Sequence, residues 1–382
     1  MTALRSLRLP RSICSLTALM LALLPGLRAA DSEKGKPASL PAVAVGAIRW
    51  DGWHSDADSV GQAVAKSLGP PEWHYRIPFF GVVGDDGRVS VNGDRAEVME
   101  REIAYAKSGH LDYWAFITYP EGSVMNRGLE LYLASPHRGD IHFCIITEAT
   151  QWRPDNVDAT AARYAELMAE PGYQTTPNGR PLFYFLNHAA DSLKQLWRDD
   201  AGFRQVADAF RKAARERGLA DPYLAVMTWD VKGAKALAEA AGLDAISAYA
   251  FQGGDKAAPY ERLAFVVERF WEEQRRTGAK VIPLAMTGWD RRPRVMNPVP
   301  WEHFNAPKDN YYVPPAPDQI AQHIAHAAAW CRAHPEAADA QAVIVYAWNE
   351  HDEGGWLCPT LGADGSPDAS RIEALGSALH RP

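Results

Sequence analysis

Eight short apolar runs, separated by stretches of helical periodicity, constrain this chain more than any other feature. They read AVAVGAIRW (42–50), LDYWAFITY (111–119), IHFCIITE (141–148), RPLFYFLN (180–187), PYLAVMTWD (222–230), LDAISAYAF (243–251), KVIPLAMTGW (280–289) and AVIVYAWNE (342–350). They are apolar almost throughout, not at alternate positions, which suits strands buried on both faces of a parallel sheet. Between them lie amphipathic stretches such as DRAEVMEREIAYAKSG, where Val98, Met99, Glu102, Ile103 and Ala106 recur at helical spacing. Similar patterns cover 157–169, 203–217, 235–241, 260–276 and 317–333, and ASRIEALGSALH follows the last run. Eight strand–helix units predict an α/β fold: a single (β/α)8 TIM barrel over 42–382 with long loops at its C-terminal face. An open doubly wound sheet would usually have fewer strands and a phosphate-binding glycine turn. Neither GxGxxG nor GxxxxGKS occurs, so simple nucleotide binding is excluded and no cofactor is expected. Residues 73–82 read as a loop, because Pro70, Pro71 and Pro78 interrupt them. The segment 291–316, rich in Pro and aromatics, reads as a long working loop after the seventh strand.

The N-terminus has the pattern of an export signal: Arg5, Arg8 and Arg11, the apolar run SLTALMLALL, then small residues up to Ala30. Residues 1–30 are therefore expected to be a signal peptide and 31–41 a polar linker, with the mature protein periplasmic or secreted. Arg28 leaves the cleavage point undefined, and Cys14 precedes the apolar run, unlike a lipid-attachment cysteine. The run is too short to span a bilayer and no later one is longer, so no membrane insertion is expected after cleavage. Removing residues 1–30 takes four Arg and no acid from a net charge of −7, leaving about −11. A uniformly acidic chain without a basic run is a poor partner for nucleic acid or anionic lipid. Cys331 shares a helical face with Ile320, Ile324 and Ala328, and Cys144 lies inside an apolar run, so buried free thiols are expected. A disulfide among Cys144, Cys331 and Cys358 stays open.

A barrel places its chemistry at the C-terminal ends of its strands. In order those ends are Trp50-Asp51, Tyr119, Glu148, Asn187, Trp229-Asp230, Tyr249, Trp289-Asp290 and Asn349-Glu350. Each carries an aromatic, an acid or an amide. Trp and Tyr beside carboxylates and amides suit a carbohydrate: the apolar C–H face of a sugar stacks on an aromatic ring while its hydroxyls bond acids and amides. Trp50, Trp152, Trp229, Trp289 and Trp348 are the expected rim tryptophans; any one of them can instead pack beneath a loop. The densest cluster is Asn349-Glu350-His351-Asp352-Glu353 at the end of the eighth run. Glu350 and Glu353 can both face the cleft, because Gly354 and Gly355 permit a tight turn. Mutual repulsion and burial against Trp348 and Trp356 should raise the pKa of at least one. A protonated acid beside an ionised base is the equipment for cleaving a glycosidic bond. A solvated acidic loop is the plainer reading, and a metal site is a weaker one, since consecutive residues rarely aim at one ion and neither HxH nor HExxH occurs.

The stretch AWNEHDEGGWLCPT resembles the AWNEW-x-EG-x-x-L-x-P signature of WbsX-like proteins and the NEWHEG turn of glycoside hydrolase family 99, the endo-α-1,2-mannosidases and mannanases. MTGWDRRPR (286–294), HFCIITEATQW (142–152) and NGRPLFYF (178–185) are similar to further WbsX-like blocks, in the same order. The resemblance implies a (β/α)8 glycoside hydrolase. Glu350 would be the base on a substrate 2-hydroxyl, and Glu353 the acid, then base, on the leaving oxygen. The deprotonated 2-oxygen would displace the aglycone from behind, giving a 1,2-anhydro sugar that water reopens with net retention, without a protein nucleophile. The expected substrate is an oligosaccharide or polysaccharide with a 1,2-trans, α-mannoside-like linkage. Its contacts are expected from Trp50, Asp51, Tyr119, Glu148, Trp152, Asn187, Tyr249, Trp289, Asp290, Arg294, Asn349, His351 and Asp352, with no metal. The chain departs from the pattern at His351, where the family has Trp, at Asp352, where it has His, and at Thr147-Glu148-Ala149, where it has Asn-Glu-Asn. The alternatives are a non-catalytic glycan-binding protein, a WbsX-like glycosyltransferase in polysaccharide biosynthesis, and a metal-dependent hydrolase or deacetylase. An exported protein rarely meets the nucleotide sugar that a transferase needs, and a binding protein need not keep the acid pair.

Overall fold

All eight apolar runs form parallel strands in the computed structural model, which describes residues 42–253, 256–302 and 310–379. The expected signal peptide and linker lie outside the described residues, as does part of the 291–316 loop. The strands are β1 (Ala44–Arg49), β2 (Tyr113–Thr118), β3 (His142–Glu148), β4 (Leu182–Leu186), β5 (Tyr223–Met227), β6 (Ala245–Ser247), β7 in two pieces (Lys280–Val281 and Leu284–Met286) and β8 (Ala342–Tyr346).

The split in β7 explains how the sheet closes. Its first piece pairs with β6, Ala245 opposite Lys280, and its second with β8, Leu284 opposite Ile344. The break falls at Ile282-Pro283. Proline has no N–H to give to a ladder, but the Pro283 carbonyl still accepts from Ile344 N at 3.1 Å, and Ile282 N reaches Ile246 O at 3.1 Å. β8 then pairs with β1, Ala44 opposite Ala342, and the circuit is complete. The expected helices follow as Ala96–Ser108, Val157–Met168, Arg204–Glu216, Tyr260–Arg276, Pro317–Ala333 and Ser370–Leu379. The helix read as 235–241 begins earlier, at Val231, because Gly233 hides its first turn from propensity; a side chain there would strike the Asp230 carboxylate. Residues 73–82 are not simply a loop. A 3-10 turn covers Pro71–Arg76, with Pro at its tolerated first position, and Val82–Val83 pairs antiparallel with Val89–Ser90. Cys144, Cys331 and Cys358 are all buried free thiols. No helix among the described residues is long and apolar enough to cross a membrane.

The barrel interior is packed with aromatic side chains, and Gly46 shows how tightly. Tyr113 leans across Gly46 so that its hydroxyl donates to Val343 O at 2.9 Å and meets Tyr184 Oη at 3.1 Å. A Cβ at Gly46 would lie 2.2 Å from that ring. Gly46→Ala is therefore expected to overpack the interior and cost about 1–3 kcal/mol, read as a lower urea midpoint at unchanged m-value.

Candidate active site

The ends of β8 and β1 are laced together, and this lacing aims the acidic cluster. Trp348 N donates to Ile48 O at 2.7 Å, extending the ladder past Tyr346. Asn349 then continues it with its side chain: Oδ1 accepts from Trp50 N at 2.9 Å and Nδ2 donates to Trp50 O at 2.7 Å. Trp53 Nε1 donates to the Asn349 carbonyl at 2.7 Å. Immediately after this clamp, one 3-10 turn (His351–Glu353) and Gly354 at φ +87° reverse the chain. A Cβ on Gly354 would sit 2.5 Å from Asp290 N, so the turn requires glycine in both conformation and space.

The result is a cavity of about 490 Å³ at the strand ends, within the usual range for a ligand site. Trp50, Tyr119, Glu148, Tyr249, Arg294, Glu350 and Glu353 line it, together with Met125, His188, Trp301, Glu302 and apolar residues. Trp50 and Trp301 form a bent aromatic wall, their rings 5.9 Å apart, and the Arg294 guanidinium sits 5.5 Å from the Trp50 ring. Trp50 Nε1 donates to the Tyr119 hydroxyl at 2.9 Å. Glu148 makes no side-chain hydrogen bond among the described residues.

The two central carboxyls are held differently. Glu350, 3% exposed, accepts from the Tyr249 hydroxyl at 2.6 Å through Oε1. Its Oε2 makes no hydrogen bond, and Arg294 Nη2 stands 3.6 Å away. Burial, then the charge of Glu353, push its pKa up to about 8, against the pull of Arg294. Glu353 accepts from Arg294 Nη1 through Oε1, with Arg291 Nε at 3.3 Å, and from the Tyr346 hydroxyl through Oε2. Burial alone would raise it, but Arg294 and Arg291 outweigh burial and hold it below the usual carboxylate range. The pair is therefore driven apart, Glu350 toward the protonated form and Glu353 toward the ionised one. Burial and the neighbouring carboxylates keep the Tyr249 and Tyr346 phenols well above their ordinary pKa, so both remain donors.

The other predicted contacts lie outside the cavity wall. Asp51 is turned inward by Arg49 Nε at 2.9 Å, in a buried network that runs through Glu102 to Trp348 Nε1. Trp152 is fully buried, donating to Thr147 Oγ1 at 2.8 Å and packed on Tyr164 and Phe210. Trp348 is buried against Trp114, and Trp289 packs on Tyr346. Trp229, 47% exposed, faces solvent beyond the cavity wall. Asn187 is buried at the end of β4, its N–H given to Met227 O at 2.9 Å. Asp290 is taken by Arg76 and by Arg292, 2.7 Å from Nη2. Asn349 is the clamp described above. His351 is fully buried between Trp53, edge-on at 5.3 Å, and Trp356, stacked at 5.9 Å. Burial and the charges of Arg371 and Arg76 push its pKa down to about 3, so it stays neutral. Asp352 grips Arg294 in a fork, Nε at 2.7 Å and Nη2 at 3.0 Å, and accepts from Ser67 Oγ at 3.2 Å.

Sequence reasoning missed Trp301 and Glu302. Both sit in the aromatic-rich segment after β7, whose composition marked it as a working loop without saying which residues reach inward. Trp301 is 41% exposed, so Trp301→Ala should leave stability unchanged yet weaken binding of a ligand that stacks on this wall up to about tenfold, measured by calorimetric titration.

No family model matches the chain, and no curated protein matches it. Among solved structures it is similar to the GH99 endo-alpha-mannosidase from Bacteroides thetaiotaomicron, both with Bis-Tris-propane bound and without. In each case the TM-score is 0.55 at 13% identity, over 88% of this chain and 95% or 96% of that one. The AHE enzyme from Alicyclobacillus herbarius is more distant, with a TM-score of 0.43 at 12% identity over 90% of this chain and 98% of that one. At such identity the likeness establishes the fold: an α/β barrel of the kind that the GH99 endo-alpha-mannosidase has.

Proposed function

We propose that this protein is a retaining glycoside hydrolase, acting on a 1,2-trans, α-mannoside-like bond in an extracellular or cell-envelope polysaccharide. The observation that carries the reading is the Glu350–Glu353 pair: two buried carboxyls lining one cavity, under an aromatic wall, one pushed up in pKa and the other pulled down by its surroundings. Glycosidic cleavage needs a group that protonates the departing oxygen and a group that removes a proton from the attacking one. A pair driven apart in pKa by its surroundings supplies both at neutral pH. An α-mannoside's axial 2-oxygen lies anti to the leaving group, so its own 2-hydroxyl can attack and the pair needs no third nucleophile. The fold shared with an endo-alpha-mannosidase supports this linkage. The export pattern at the N-terminus supports a polysaccharide outside the cytoplasm.

The test is incubation with a panel of α-mannans and bacterial exopolysaccharides, following reducing ends and the anomeric configuration of the first product by NMR. The reading predicts new reducing ends that first appear with the configuration of the bond cleaved. Inverted product contradicts the 2-hydroxyl route. Tight binding without cleavage favours a glycan-binding protein, and loss of activity with chelator a metal-dependent enzyme.

A further inference from the structure

The hydrolase reading leaves open which carboxyl is the acid, and the following assignment rests on that reading. The family resemblance implies Glu353. The contacts differ from that expectation at each oxygen. Both Glu353 oxygens already accept hydrogen bonds, one from Arg294 Nη1 and the other from the Tyr346 phenol, and Arg291 Nε adds an ion pair at 3.3 Å. Only one Glu350 oxygen accepts a hydrogen bond, from Tyr249, and the other makes none while its residue lines the cavity. Arg294 Nη2 stays 3.6 Å from Glu350 Oε2 without a hydrogen bond, because Asp352 holds Nε and Nη2 and Glu302 Oε1 takes Nη1 at 2.9 Å. A proton on Glu353 would have to displace the Arg294 guanidinium or the Tyr346 phenol from an oxygen that already accepts, whereas Glu350 Oε2 accepts no hydrogen bond that a proton would displace.

We propose that Arg294, aimed by Asp352, is a positioning residue that fixes Glu353 as the standing carboxylate and leaves Glu350 as the proton donor, reversing the roles that the resemblance implies. The groups facing the pair are Arg291, Arg294, Glu302, Asp352, Tyr249 and Tyr346, with Tyr119, Glu148 and His188 on the cavity wall. Their balance agrees with the contacts: Glu350 is pushed up and Glu353 pulled down. Asp352, one of the positions where this chain departs from the family pattern, thereby acquires a purpose as the counter-ion that aims Arg294.

The chemistry balances. Glu350 gives its proton to the glycosidic oxygen as the bond from that oxygen to C1 breaks. The 2-oxygen forms the new bond to C1, and its proton passes to Glu353. Water then adds to C1, its proton going to the Glu350 carboxylate, while Glu353 returns its proton to the 2-oxygen. Both residues end as they began.

The experiment is a pH titration of the full chain labelled with 13C at the glutamate carboxyls, the two resonances being assigned by their loss in Glu350→Gln and Glu353→Gln. Glu350 is expected to titrate near pH 8, and Glu353 below the usual carboxylate range, held there by Arg294 and Arg291. In Arg294→Met the Glu353 resonance should titrate at least about one pH unit higher, and Arg294→Lys should restore part of the difference. A wild-type protein in which Glu353 is the protonated carboxyl at neutral pH, or an Arg294→Met variant with unchanged Glu353 titration, overturns the assignment. If Arg294→Met does not fold, Asp352→Asn is read the same way, and an unchanged Glu353 overturns it. A second arm uses aryl glycosides of the sugar released in the polysaccharide screen. Glu350→Gln should retain activity on those with acidic phenol leaving groups, which need no proton, and Glu353→Gln should not; the opposite pattern overturns the assignment. The titration needs no substrate, so its failure leaves the hydrolase reading standing, and a failed polysaccharide screen is told apart from it.

Discussion

Glu350→Gln is expected to be more stable than the wild type, with a margin that grows with pH. In the folded protein Glu350 titrates at about 8, against an ordinary value of 4.5 for an exposed glutamate. Between those values the folded state binds a proton that the unfolded state has released, so stability falls as pH rises through this window. Below pH 4.5 the group costs nothing through ionisation, and above 8 it costs up to about 5 kcal/mol. Glutamine keeps the shape and the bond from Tyr249 but has no charge to desolvate. Urea titrations at several pH values should therefore superimpose near pH 4 and separate progressively toward pH 8–9. Glu353 works in the opposite sense. Its contribution is present above its unfolded value and disappears as pH falls through its lowered folded value. A functional group that destabilises its own fold is the ordinary signature of a catalytic site.

The second large effect is expected at Arg294. Its guanidinium faces four carboxylates, Glu302, Glu350, Asp352 and Glu353, and is itself 3% exposed. Arg294→Met keeps much of the volume but leaves Asp352 and Glu353 buried without their main counter-charge. Removing one partner of a buried pair costs about 3–5 kcal/mol, and this variant should lose at least that at neutral pH. The loss should shrink toward acid, where the carboxylates take up protons instead. Arg294→Lys should recover only part of it, since an ammonium cannot make the fork to Asp352 and reach Glu353 at once. Chemical denaturation of the three proteins at pH 5 and pH 7.5 checks both the order and the pH trend.

How much of this could be read from the chain alone differs between fold and site. The strands were legible because a strand buried on both faces must be apolar at nearly every position, as in HFCIITE and AVIVYA. Closure was not: nothing in KVIPLAM says that Pro283 divides a strand whose two halves bond different neighbours. At the rim, sequence identifies residue type and strand end but not the direction a side chain takes. Trp50 faces the cavity while Trp152 and Trp348 turn inward, where their indole N–H groups donate to Thr147 and to Glu102. The acidic cluster was conspicuous, and its division into roles was not. His351 and Asp352 stood out as departures from a family pattern. Only the fold reveals that one is a neutral ring in an aromatic slot and the other the anchor of an arginine 58 positions upstream. Trp301 and Glu302 were invisible because a loop's composition does not fix its path.

The central claim is that Glu350 and Glu353 together break a glycosidic bond. The most direct measurement is the rate of reducing-end release from the most responsive polysaccharide of the panel by wild type, Glu350→Gln and Glu353→Gln, each shown folded by its urea transition. Both variants are predicted to lose at least about a hundredfold in rate, as expected when an acid or base is removed from a transition state. Undiminished release by either variant would contradict the account.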